Sequence, residues 1–202
     1  MTPFVRLAGY AAVLAEDNID TDIIFPARFL LITTREVLGT HAFHDRRFDS
    51  GGAEVTGFML NQEPWRGAVI LIAGANFGCG SSREQAVWAL ADRGLRCIIA
   101  PSFGEIFQTN CFRNGLLPIV MPGAVIAELI EHANRAESFV VDLENQILCV
   151  GDGPPIAFST GAEQRLALLN GWDETALIMN DYQDSIADFE LVQQRCQPWL
   201  YE

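Results

Sequence analysis

The chain has 202 residues, half of them apolar and only 19% charged, with a formal net charge of −13. That length can bury one substantial core, or one domain with an appended subdomain, and the composition is that of a globular chain and not a disordered one. The acidic excess argues against nucleic acid or an anionic membrane as partner, and an anionic substrate would need local arginines because the overall field repels it.

No apolar run approaches the length of a membrane span, and Met1-Thr-Pro-Phe-Val-Arg6 lacks a signal-peptide pattern. Five cysteines (Cys79, Cys97, Cys111, Cys149, Cys196) are scattered without a C-x-x-C pair. An odd, unpatterned set of this kind is expected as reduced thiols in a cytoplasm. His41 and His44 lie three apart beside Asp45, and His132 is remote. No third ligand pattern follows, so no metal site is expected.

In chain order, Phe4 to Leu14 reads as a strand, or two short ones broken near Gly9. Glu16-Asp-Asn-Ile-Asp-Thr-Asp22 is an acidic turn, and Pro26 rules out a central strand or helix interior behind it. Such a turn can bind a cation, or it can be a solvated turn whose side chains bond local backbone; pattern alone leaves both open. Arg28 to Arg35 mixes apolar and basic residues, and Asp49-Ser-Gly-Gly52 is a flexible turn.

Ala68-Val-Ile-Leu-Ile-Ala73 reads as a buried strand, and Gly74 to Gly80 as a glycine-rich loop. Ala86, Val87, Leu90 and Ala91 then recur at helical spacing before a stop at Gly94. Leu95 to Ala100 is a second strand, parallel to the first. Pro101 to Gly115 holds a short helix with Ser102 as its cap, and Leu116 to Met121 is a third strand. Gly123 to Ala136 is an amphipathic helix; Phe139 to Val150 is a hairpin; Pro154 to Phe158 is an edge strand. Ala162 to Asn170 is a helix ended by Gly171, and Asn180 with Gln183 caps a last helix running to about Cys196. The whole reads as one α/β domain over residues 1–202, with a motif-bearing core at about 1–122 and a hairpin and helices beyond it.

The chemistry concentrates at Ser81-Ser-Arg-Glu84, where the loop meets the helix. A helix start offers unpaired N–H groups and the positive end of the dipole, so two hydroxyls and a guanidinium there can cradle a carboxylate or phosphate. Ser81 with Glu84, and Ser82 with Gln85, equally fit capping boxes that need no ligand. The glycines run G-x-x-x-G-x-G and no lysine follows, so neither the dinucleotide fingerprint nor a Walker loop is present.

Three segments together resemble one family. Asn76-Phe-Gly-Cys-Gly-Ser-Ser-Arg-Glu84 looks like the serine–arginine loop of the aconitase superfamily. Thr21-Asp22 followed by Pro26-Ala27 resembles its Thr-Asp-x-Ile-x-Pro-Ala segment, and Ser102 to Asn110 with Gly115-Leu-Leu-Pro118 resembles a third block. With Asp17 to Asp22, Gly39 to Phe43 and Asn170-Gly-Trp-Asp173, the likeness extends to the bacterial small-subunit family of 3-isopropylmalate dehydratases.

That resemblance implies a swivelling β/β/α three-layer domain of the aconitase C-terminal type with a helical C-terminal part. It implies a hydro-lyase of leucine biosynthesis, isomerising 2-isopropylmalate to 3-isopropylmalate through isopropylmaleate. The enzyme would be active only as a heterodimer with a large subunit holding a 4Fe–4S cluster. This chain would itself bind no cofactor and no metal, and its small ligand would be a dicarboxylate. A small subunit for citramalate/citraconate or homoaconitate is the alternative. By position, Ser81 matches the family's base, Arg83 a carboxylate-binding arginine, Asp22 an acid that positions one of them, and Ser82 a second donor. Thr21, Arg28 and Arg35 join Ser82 and Arg83 as expected substrate-binding residues. The Ala27–Arg35 stretch matches the region where family members differ by substrate, so Phe29-Leu-Leu-Ile32 would face the isopropyl group. Gln85 departs from the family pattern, where many relatives have His.

Overall fold

The computed structural model describes residues 1–32 and 34–201, with Arg35 described by its backbone alone. Among these residues, seven strands form one sheet in the order β4-β3-β2-β1-β5-β6-β7. The strands are β1 (Arg6–Leu14), β2 (Ile70–Ala73), β3 (Cys97–Ala100), β4 (Leu117–Val120), β5 (Ser138–Asp142), β6 (Ile147–Val150) and β7 (Ile156–Ala157).

β1 joins two halves of different character. Its C-terminal half, Ala11 to Leu14, pairs parallel with β2, and β2, β3 and β4 continue the parallel set. Its N-terminal half, Arg6 to Tyr10, pairs antiparallel with β5, and β6 and β7 continue as a meander. The strand is continuous, so the single-strand reading holds, and what lies near Gly9 is a change of partner. The backbone comes so close to Val69 there that a Cβ on Gly9 would stand 2.6 Å from its Cγ2.

β2 and β3 are buried at every position, which is why they read as unbroken apolar runs with no alternation. Leu71, Ala73, Ile98 and Ala100 face one core with Phe25, Phe77, Val87, Leu90 and Phe107. Ile70, Ile72, Cys97 and Ile99 face the other with Ile126, Leu129, Phe139 and Leu148. At roughly 1.5–3 kcal/mol for each fully buried large apolar side chain, these two layers supply the main driving force for the fold.

The helices are α1 (Thr21–Ile24), α2 (His44–Arg47), α3 (Glu84–Asp92), α4 (Glu105–Arg113), α5 (Gly123–Asn134), α6 (Ala162–Asn170), α7 (Glu174–Asp181) and α8 (Gln183–Cys196). α6 ends as expected at Gly171, left-handed at φ 69°. Two capping expectations do not hold. α4 starts from Gly104, not from Ser102, and no side chain caps it. Asn180 lies inside α7, a helix that the sequence reading missed. α7 is capped by Asp173, whose Oδ1 accepts from Ala176 N at 2.8 Å. Among the described residues no helix is long and apolar enough to cross a membrane.

Candidate active site

The glycine loop after β2 is held from both sides, on one by backbone and on the other by backbone and the Ser102 hydroxyl. On one side, Asn18 N donates to Ala75 O at 2.8 Å, Gly78 N to Ile19 O at 2.7 Å and Thr21 N to Cys79 O at 3.0 Å. On the other, Asn76 N donates to Ser102 Oγ at 2.8 Å, Phe77 N to Ser102 O at 3.1 Å and Gly104 N to Phe77 O at 2.9 Å. Ser102 is therefore a loop anchor, which explains why it does not cap α4. Gly78 sits at φ +73°, and a Cβ there would strike the Phe107 ring. Phe107 in turn packs edge-on to Phe77, with ring centroids 5.5 Å apart.

The acidic turn proves to be mostly scaffold. Glu16 pairs with Arg46 at 2.8 Å. Asp17 Oδ1 accepts from Ala75 N at 2.7 Å, and Asp20 Oδ1 accepts from Ile23 N at 2.8 Å, capping α1. Asp22 pairs with Arg83. Among the described residues no three His, Cys, Asp or Glu side chains gather as a metal-holding group. Cys97 and Cys111 are buried, and burial pushes both thiols far up, away from the thiolate a metal or cluster requires. Among the described residues, Cys97 and Cys111 thus do not suit an iron–sulfur cluster, and no other group of three such side chains gathers to hold one.

Neither capping box forms. α3 starts at Glu84 with Arg83 as its N-cap residue and no side-chain capping bond. Glu84 turns away, its Oε1 accepting from Asn114 Nδ2 at 2.8 Å. Released from capping, Ser81 meets Thr21. The two hydroxyl oxygens are 2.9 Å apart, and Thr21 Oγ1 also lies 3.2 Å from the Ser81 carbonyl. Ser81 and Ser82 are exposed. Thr21, expected among the substrate-binding residues, is instead buried beneath them.

Arg83 Nη1 donates to Asp22 Oδ1, which also accepts from Ala27 N at 3.1 Å. No other partner engages the Arg83 guanidinium among the described residues, so its remaining N–H groups are free to grip a carboxylate. The Arg83 hydrogen bond is the main cause holding the Asp22 carboxyl below its ordinary value, against slight desolvation. Ser81, Ser82, Arg83 and Asp22 are thus brought to one surface. An exposed hydroxyl, a second hydroxyl donor and an oriented guanidinium suit a small carboxylate ligand and proton transfer at its neighbouring carbon.

The Ala27–Arg35 stretch divides. The Phe29 ring stacks on His41 at 4.1 Å, and Leu30 and Ile32 pack on the core. Leu31 is 93% exposed. Only Leu31 of the four expected apolar residues therefore projects freely. Arg28 is engaged, donating to Asp45 and lying over the Phe29 ring. The Arg35 side chain lies outside the described residues. A recess of about 420 Å³ lined by Asp20, Asp22, Ala27, Arg28, Asp45 and Arg46 adjoins Asp22. A second recess, about 360 Å³ between α4, β4, α6 and α7, includes none of Ser81, Arg83 and Asp22.

Sequence reasoning missed Ser102 as a loop anchor, and Asn18, whose Oδ1 accepts from Asn76 Nδ2 at 2.8 Å. Asn18 has φ 59° and Asn76 has φ 57°. Asparagine tolerates this left-handed conformation, and that is the signal in the sequence that would have marked both as turn residues.

The model of the aconitase C-terminal domain matches residues 1–124. A 3-isopropylmalate dehydratase small subunit from Rhodospirillum rubrum is 48% identical over 202 residues, covering 99% of this chain and 97% of that protein. A protein of the same name from Paramagnetospirillum magneticum is 45% identical, covering 99% of this chain and all of that one. A solved structure of a 3-isopropylmalate dehydratase chain from Methanocaldococcus jannaschii superposes with a TM-score of 0.65 at 25% identity, covering 91% of this chain and 99% of that one. The expected α/β class of the aconitase C-terminal type is borne out.

Proposed function

The chain belongs to the 3-isopropylmalate dehydratase small-subunit family, within the proteins that carry the aconitase C-terminal domain, and we propose that it supplies the serine–arginine half of that hydro-lyase's site. In this reading it serves leucine biosynthesis, converting 2-isopropylmalate to 3-isopropylmalate. Its partner is a large subunit, with which it forms a heterodimer. That subunit would hold the 4Fe–4S cluster, whose Lewis acidity would polarise the substrate hydroxyl. The free cysteines of this chain suit a reducing cytoplasm.

The observation that carries the reading is the convergence of Ser81 and Arg83 on Thr21 and Asp22 from across about 60 residues of sequence. Arg83, held at one corner by Asp22, presents its open N–H groups to a substrate carboxylate, with Ser82 as a second donor. The bound molecule is then fixed with a C–H bond toward Ser81. In dehydration the Ser81 oxygen takes the proton from carbon, the C–H electron pair forms the double bond, and the hydroxyl group leaves. In rehydration the proton passes from Ser81 to the carbon that had carried the hydroxyl, and hydroxide adds to the carbon that had lost its proton, which makes the product the 3-isomer. A serine alkoxide requires nearby donors and positive charge. Arg83 and the start of α3 supply part of that field.

The test is anaerobic reconstitution with the cognate large subunit, following the ultraviolet absorbance of the unsaturated intermediate with 2-isopropylmalate and citramalate in parallel. Turnover of isopropylmalate by the pair alone, abolished in Ser81→Ala, is the expected result. Preference for citramalate would overturn the substrate, and full activity of Ser81→Ala would overturn the base and leave a carboxylate-binding module.

A further inference from the structure

We propose that Thr21 is the positioning residue of the Ser81 base, holding a buried proton that turns to the Ser81 oxygen as that oxygen becomes negative. The inference rests on the reading of Ser81 as base and names the group that makes a serine alkoxide attainable there.

Thr21 is only 1% exposed, so water does not compete for its hydroxyl. Its backbone is fixed at both ends: its N–H donates to Cys79 O at 3.0 Å, and its carbonyl accepts from Phe25 N at 3.0 Å. Asp20 caps the turn on which it sits. The Thr21 hydroxyl is thus aimed by the scaffold and not by the ligand.

A threonine hydroxyl has one hydrogen and can accept as well as donate. Two Ser81 oxygens lie within reach, the carbonyl at 3.2 Å and the hydroxyl at 2.9 Å. With Ser81 neutral, the Thr21 hydrogen goes to the Ser81 carbonyl, and Ser81 Oγ–H donates to Thr21 Oγ1. When Ser81 loses its proton to solvent, it can no longer donate. A rotation about the Thr21 C–O bond then carries the Thr21 hydrogen onto the Ser81 oxygen, with no bond made or broken at Thr21. A hydrogen bond to an anion is roughly twice as strong as one between neutral groups, so the exchange favours the alkoxide. Valine has nearly the shape of threonine and cannot do this. Serine can.

The first arm uses the isolated chain and needs no catalysis. In Ser81→Cys the introduced thiol is titrated by thiolate absorbance, with Thr21 intact and with Thr21→Val. Loss of the Thr21 hydroxyl is expected to raise the apparent pKa of that thiol by about 1, a tenfold change in acidity. Equal pKa values would overturn the proposal. Thr21→Ala is carried alongside, so that misfolding of one variant leaves the comparison intact.

The second arm uses the complex with its large subunit. Thr21→Val is expected to lower kcat about 100-fold, as loss of one oxyanion donor does, with KM nearly unchanged. The rising limb of kcat against pH should move to higher pH, and Thr21→Ser should restore both. Equal impairment of Thr21→Val and Thr21→Ser with an unmoved limb would make Thr21 a packing residue and overturn the proposal. A fully active Ser81→Ala complex would remove the underlying reading, while the thiol titration would still report on the Thr21 hydroxyl.

Discussion

One carboxylate oxygen of Asp22 accepts from both the Arg83 guanidinium and the backbone N–H of Ala27. Through that atom the serine–arginine loop is tied to the start of the segment bearing Leu31. In the proposed reading, substrate grip and substrate choice therefore meet at a single side chain.

Asp22→Asn should weaken substrate binding more than it slows turnover. The amide keeps the shape but loses the charge that aims Arg83, and misaiming a carboxylate clamp costs about 10- to 100-fold in kcat/KM, here expressed mainly in KM. Melting should change little, because Asp22 is half exposed and surface ion pairs contribute only about 0–1 kcal/mol. The clamp should also tolerate acid. Its carboxyl is held below the ordinary 3.8, so the pairing is complete above that pH and is lost only as pH falls through a lower value. A side-chain NMR titration of Arg83 should place its loosening below pH 3.8.

Gly78→Ala should unfold the loop. The residue sits at φ +73°, and the new methyl would enter the Phe107 ring. Left-handed strain of about 1–2 kcal/mol and overpacking of about 1–3 kcal/mol act together. Chemical denaturation of the isolated chain should show a loss of about 2–5 kcal/mol, and the reconstituted complex should lose activity.

Leu31→Ala should lower kcat/KM for 2-isopropylmalate about tenfold and leave citramalate nearly unaffected. The mutation removes apolar contact to an isopropyl group, and pocket contacts of this size discriminate by about 10- to 200-fold. Phe29, Leu30 and Ile32 are spent on packing, so their truncation should appear first in the melting temperature.

His41 should make the chain less stable in mild acid. Burial, then the charges of His44 and Arg28, lowers its pKa below the ordinary 6.5. The unfolded chain therefore binds this proton more readily than the folded one, and stability falls as pH drops below 6.5 toward the folded value. Melting temperatures measured from pH 7 downward should decline in wild type and decline less in His41→Phe.

The parts of this fold with a local or periodic cause are legible in the residues alone. β2 and β3 were readable because strands buried on both faces are apolar at every position. The end of α6 was readable because Gly171 alone relieves a left-handed turn there. Arg83 and the two serines stood out by their place before a helix. Which of two jobs those serines perform was decided only in three dimensions. A serine before a helix satisfies a capping box or a distant hydroxyl equally well on paper. The choice fell to Thr21 because the backbone of Cys79 and Ile19 carries the two segments together across about 60 residues. The same holds for Ser102, which bonds Asn76 and leaves α4 uncapped, and for Arg28, which packing hands to Asp45. Polar side chains near an element's end have several partners of comparable energy, and long-range packing selects among them.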